Sequence, residues 1–138
     1  MSRLFADRRG ATAVEFALVA PVFLMFMFLI IDGSRMVWTY QTLQEVATNS
    51  ARCAALKLTA CADNASVQTY AVARAVASGV PLTAASVALS NVAASATGCK
   101  ASPVAMVKVA INSPYQGATT LLLPTSVTTL TTEACFPA

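Results

Sequence analysis

The sequence predicts an α+β protein with a long N-terminal helix, a second helix and a small antiparallel sheet of about three strands. Three observations predict it. Residues 11–31 are an apolar run in which Glu15 is the sole ionisable side chain. Residues 36–58 continue with apolar side chains at helical spacing, and residues 105–112 alternate apolar and polar with a period of two. Helices come first and strands afterwards, which is the order of an α+β chain.

At about 1.5 Å per helical residue, residues 11–31 reach about 30 Å, the thickness of a bilayer's hydrocarbon core. A secretory signal peptide is the rival, but its apolar core is usually only about 7–15 residues and ends in small side chains. Residues 23–31 are bulky throughout, so the run reads as an anchor. Pro21 can kink such a helix, a defect that membrane helices tolerate. Ahead of the run, Arg3, Arg8 and Arg9 outweigh Asp7. Positive residues before a span hold the N-terminus in the cytoplasm and send the residues after Ile31 across the membrane. The chain thus divides into a leader (1–10), a span (11–31), a helical extension (32–58) and an exported α+β domain (59–138). Just past the span, Asp32 and Arg35 are three apart and can pair, while Trp38 and Tyr40 suit the headgroup layer.

In the extension, Met36, Leu43, Ala47, Ser50, Ala51, Ala54 and Leu58 recur on one face. Gln41, Gln44, Glu45, Thr48 and Arg52 point elsewhere, so one long amphipathic helix is expected to about Lys57. Gly33 is where it could break into a separate anchor and helix. A second helix is expected over 65–78, capped by Asp63 or Asn64 and stopped by Gly79 and Pro81. Asn64-Ala65-Ser66 also matches a glycosylation acceptor, but capping is the preferred reading. Val87 and Leu89 mark a first strand, and Ala105, Val107, Val109 and Ile111 form the apolar face of a second. Threonine-rich residues 127–135, with Leu130 and Ala134 on one side, mark a third. In the connection 112–126, Leu121, Leu122 and Leu123 read as a plug for the sheet's core, with an exposed contact patch as the alternative.

Cys53, Cys61, Cys99 and Cys135 all lie beyond the span, where an oxidising compartment favours two disulfides. Four cysteines allow three pairings. Placement favours Cys53 with Cys61 at the elbow between the helices and Cys99 with Cys135 flanking the last two strands, against cross-pairing such as Cys53 with Cys99. Zinc is disfavoured by spacings of 8, 38 and 36 residues and by the absence of histidine. No metal and no cofactor are expected.

The lack of histidine also removes the commonest general base and the usual Ser-His-Asp and Cys-His arrangements. No phosphate-binding loop or dinucleotide fingerprint occurs among the five glycines. Asp32, Glu45, Asp63 and Glu133 are isolated in sequence, so no enzyme is expected unless folding brings Asp63 beside Glu133. The net charge of +3 comes mostly from the leader and implies no nucleic-acid partner.

Glu15 is costly where it stands, since a carboxylate at the bilayer centre costs roughly 2.5–3.5 kcal/mol on insertion scales and less near the interface. In one reading it snorkels to the headgroups and is favoured by the helix N-terminal dipole. In the other, a cut after Gly10 gives Ala11 a free amine one turn away, and Glu15 is neutralised by that charge or by a neighbouring subunit's.

A basic leader, Gly10, Glu15, aromatic Phe16 and an apolar run together resemble the processing site of type IV prepilins. The form GATAVEF resembles the tight-adherence (Tad or Flp, type IVc) branch, and its continuation to Ala55 resembles the TadE-like pseudopilins of that system. Phe16 stands where the branch's major pilin commonly has tyrosine. The length of 138 residues favours a minor pseudopilin over the much shorter major pilin. The resemblance implies a pilin-like fold, cleavage by prepilin peptidase between Gly10 and Ala11, and a part for Glu15 and Phe16 in processing and assembly. It also implies an inner-membrane, single-pass subunit with a cytoplasmic N-terminus and a periplasmic domain, partnered by other pseudopilins and pilins and acting structurally in building an adhesive pilus. The alternative is a signal-anchored periplasmic binding module that never enters a filament.

Overall fold

The structure, a computed structural model, describes residues 9–94, 98–99, 103–117 and 128–138. Helix α1, Arg9–Ala55, takes in the apolar run and its polar continuation without a break at Gly33, and it contains Pro21. The chain divides into two compact units, Met1–Arg35 and Met36–Ala138.

In the second unit, the stripe of α1 meets the core through buried Leu43, Ala47, Ser50 and Ala51, joined by Val46 and Cys53. Met36 and Ala54 pack at its edge. Leu58 departs from the stripe. Helix α1 ends at Ala55, earlier than its apolar periodicity suggests, because Lys57 takes a left-handed backbone with φ of 48°. The Lys57 N–H donates to the Ala54 carbonyl at 3.1 Å and the Leu58 N–H donates to that of Cys53 at 3.3 Å. These are the two bonds of a Schellman terminus, which usually has glycine where Lys57 stands. Leu58 is left 50% exposed. The Cys53–Cys61 disulfide, with Cα atoms 5.8 Å apart, ties this turn to the 3-10 turn Thr59–Cys61.

Helix α2, Asn64–Ala77, is closed at both ends by its own side chains and backbone. The Asp63 carboxylate accepts from the Ser66 N–H at 2.7 Å, and the Asp63 N–H donates to the Ser66 hydroxyl at 3.0 Å, a reciprocal capping box. The Ser66 N–H, and after it the Ser66 side chain, hold the Asp63 carboxyl below its ordinary value of 3.8. At the other end Gly79 takes φ of 78°. Its N–H donates to Val76 and that of Val80 to Ala75, both at 2.9 Å, a second Schellman terminus with the side chains of Val80 and Ala75 buried beneath it. Val67, Ala71 and Ala75 form the buried face of α2.

Strands β1 (Val87–Val92), β2 (Met106–Pro114) and β3 (Thr129–Pro137) form one antiparallel sheet in the order β1-β2-β3. The inner face carries Val87, Val109, Ile111, Leu130 and Ala134, which join the buried residues of both helices in a single cluster. The period of two seen in β2 is therefore the pleat presenting alternate side chains to that core. On the outer face the Lys108 ammonium meets the Glu133 carboxylate at 2.8 Å, and the Thr131 hydroxyl donates to Asn112 Oδ1 across its register pair. The Cys99–Cys135 disulfide anchors the connection before β2 to this face, beside Val92, whose methyls would lie 3.2 Å from a Cβ at Gly98. The three leucines 121–123 lie outside the described residues, so the plug reading belongs to the sequence alone.

Register accounts for both prolines. The Tyr115 N–H donates to Thr128 and the Ala138 N–H to Ala105, so the pairs flanking β2 and β3 are hydrogen-bonded ones. Such pairs alternate along an antiparallel ladder, which makes Pro114↔Thr129 and Met106↔Pro137 non-bonded pairs. The nitrogen of Pro137 therefore points to the open side of β3. That of Pro114 points toward the β1 side beyond Val87, where β1 has not yet begun. Neither proline removes a ladder bond.

Two hydroxyls, of Ser50 and Thr132, are buried without a hydrogen-bond partner among the described residues. Each is a cost carried by the packing of small side chains around it.

Lys57→Gly should raise the stability of the full chain in detergent by about 1 kcal/mol, because glycine takes the left-handed backbone without the Cβ clash. Thermal unfolding checks this, and an unchanged or lower midpoint would contradict it. Asp63 gives a pH test. Its folded pKa is depressed, so its contribution is present above the unfolded value near 3.8 and is lost as pH falls through the folded value. Acid titration of helicity should show wild type losing stability below about pH 4 relative to Asp63→Asn, which caps without titrating.

Candidate functional site: the exposed apolar half of helix α1

Between Thr12 and Ile31 no described side chain is buried, and only Ala20 is even half-covered. The side chains cover every side of the helix: Phe16 is 73% exposed, and Leu18, Val22, Phe26 and Ile30 are likewise open. A helix that serves only a soluble core needs a single apolar stripe, whereas one apolar all round requires lipid or other helices around it. Its length and composition are sufficient to cross a membrane.

At the head of this surface α1 holds Arg9, Gly10 and Ala11 in its first turn. Gly10 is exposed, and a Cβ built on it would meet nothing within 4 Å. Glu15 lies one turn after Ala11 on the same helix face and is exposed, as is Phe16 beside it. Glu15 enters no ion pair among the described residues. Arg3 and Arg8 lie outside the described residues.

Of the four residues read as a membrane-interface group, Arg35, Trp38 and Tyr40 are exposed, with Trp38 at 63%. Asp32 is buried to 7% exposure, which its place after an apolar run did not announce. All four lie on α1, so the helical spacing assumed for them holds.

Two acidic residues of the second unit have structural partners. Asp63 caps α2 and Glu133 pairs with Lys108. A cavity of about 130 Å³ between α1 and α2 is lined by Thr42, Glu45, Asn49, Arg74 and Ser78. Its charged lining residues are one cation, Arg74, and one anion, Glu45. Arg74 also lies over the Tyr70 ring at 6.0 Å. Among the described residues, no group of three or more His, Cys, Asp or Glu side chains is placed to hold a metal ion.

The chain is thus an α+β protein whose long N-terminal helix is a candidate membrane span over its apolar half. Residues 10–52 match the family model described as TadE-like protein. The match begins at Gly10 and ends one residue before Cys53, so it covers α1 almost entirely and stops short of the disulfide elbow. The match suggests a Tad pilus-associated protein, and the apolar helix is compatible with membrane anchoring. No curated protein and no solved structure matches the chain.

Proposed function

We propose that this chain is a minor pseudopilin, a structural subunit in the assembly of tight-adherence pili, matured by prepilin peptidase between Gly10 and Ala11. The observation that carries the reading is the exposed, all-round apolar surface of α1 beginning directly after Gly10, in the segment that matches the TadE-like family. In this reading the helix rests in the inner membrane with its N-terminus in the cytoplasm and its α+β unit in the periplasm, and it packs against helices of other pseudopilins and pilins. No cofactor takes part.

Each residue at the head of the helix then has a task. Glycine is about 1 kcal/mol less favourable in a helix than alanine, so Gly10 lowers the cost of unwinding the first turn into a protease cleft. Cleavage leaves the Ala11 amine one turn from Glu15. At an effective dielectric constant near 20, unit charges about 4 Å apart attract by about 4 kcal/mol before desolvation is subtracted, an attraction that opposes the cost of placing the carboxylate in an apolar bundle. Arg3, Arg8 and Arg9 set topology before they are removed, and Phe16 presents its ring beside Glu15 for packing between helices. A signal-anchored binding module is the competing reading, and it has no reason to lose its leader.

The mature chain should start at Ala11 in cells with a working prepilin peptidase, and Gly10→Leu should accumulate at full length. Open space around Gly10 means that this substitution leaves the fold intact, so the block reports protease recognition. Intact-mass spectrometry decides; an uncut wild-type terminus would favour the binding module. Glu15→Gln keeps size and removes charge. It should insert in the membrane as wild type does, yet fail to co-purify with its pseudopilin partner or to support pili. Wild-type piliation and partner recovery would return Glu15 to a snorkelling role.

A further inference from the structure

The sheet has two edges, β1 and β3, and each presents alternate backbone groups away from β2. Register identifies them. Since Ala105 with Ala138 and Tyr115 with Thr128 are hydrogen-bonded pairs, Val109↔Ala134 and Ile111↔Thr132 are too, while Ala110↔Glu133 lies between them. The amide and carbonyl of Glu133 therefore point to the open side of β3. By the same alternation β2 turns the backbone of Ala110 toward β1, so Ala88↔Ala110 is hydrogen-bonded and Val87↔Ile111 is not. The carbonyl of Val87 points to the open side of β1.

Those two outward carbonyls are the ones that the helices reach. The Gln44 side chain of α1 donates from Nε2 to the Glu133 carbonyl at 3.1 Å. The Gln68 side chain of α2 donates from Nε2 to the Val87 carbonyl at 3.0 Å. A glutamine from each helix thus covers one carbonyl on each edge of the sheet. The β3 edge carries two further obstacles, Pro137 without an N–H and Cys135 tied to Cys99.

We infer that Gln44 and Gln68 are edge guards: by occupying the outward carbonyls of Glu133 and Val87 they keep the sheet from pairing, edge to edge, with a second copy of this chain. An exposed strand edge is a template for another strand, and a side chain held across it must be displaced before a ladder can form. The inference stands on register and two hydrogen bonds, independently of the pseudopilin reading.

The test uses the full chain in detergent micelles. Gln44→Met with Gln68→Met keeps side-chain length and removes both donors. Expected is a concentration-dependent shift from the wild-type particle mass to a dimer, measured by light scattering. The outward amides of Leu89, Asn91, Thr131 and Glu133 should gain hydrogen-exchange protection as the dimer forms. Unchanged mass and unchanged edge exchange overturn the inference. So does a lowered melting midpoint without association, since it assigns the glutamines to stability alone. If the double variant does not fold, the wild type decides: the side-chain amides of Gln44 and Gln68 should exchange more slowly than that of Gln41. Equal rates would show that the guards are not held in place and overturn the inference.

Discussion

The folded unit depends on one shared apolar core, to which both helices and the sheet contribute, much of it through small side chains. Ala47, Ser50 and Ala51 on α1 and Ala71 and Ala75 on α2 are buried together with the sheet's Val109, Ile111 and Ala134. Alanine contributes little apolar area, so the stabilisation per residue is modest. Leu43, Val67, Val87 and Ile111 supply the bulk between these low points, and the two disulfides supplement a core of limited size. The hydroxyls of Ser50 and Thr132 are buried in it without a hydrogen-bond partner among the described residues.

The composition of α1 changes along its length. In its first half bulky Phe, Leu, Met and Ile cover every side, and in its second half an apolar stripe alternates with Gln, Glu, Thr and Arg. The carboxylate of Glu15 is the exception to the apolar half. Asp63 and Glu133, by contrast, are committed to a helix cap and an ion pair.

Ends and edges receive separate treatment. Each helix that enters the core stops in a Schellman turn, one with glycine at its left-handed position and one with lysine there. The disulfide from Cys53 to Cys61 spans the turn whose lysine is the poorer terminator, so covalent chemistry holds what backbone preference does not favour. At the sheet, register decides which carbonyls face outward, and the glutamines meet them there.

The sequence by itself determined whatever depends on local pattern. The apolar length of α1, the Asp63 cap, the Gly79 stop and the alternation of β2 all come from spacing, because helix and strand periods and cap preferences act over a few residues. Resemblance over the first third of the chain likewise pointed to the TadE-like family, and the family match lies there. Other features were decided only by tertiary structure. Lysine is not a residue whose type signals a left-handed turn, so the end of α1 at Ala55 and the exposure of Leu58 were hidden in an apolar period that continued past them. Asp32 is buried although it comes directly after a run that reads as a membrane span. Gln44 looked like one more polar residue on an exposed face, and Gln68 carried no local signal. Their meaning depends on which carbonyls of β1 and β3 point outward, and that is fixed by strand pairing between residues far apart in the chain, a register that no single segment encodes.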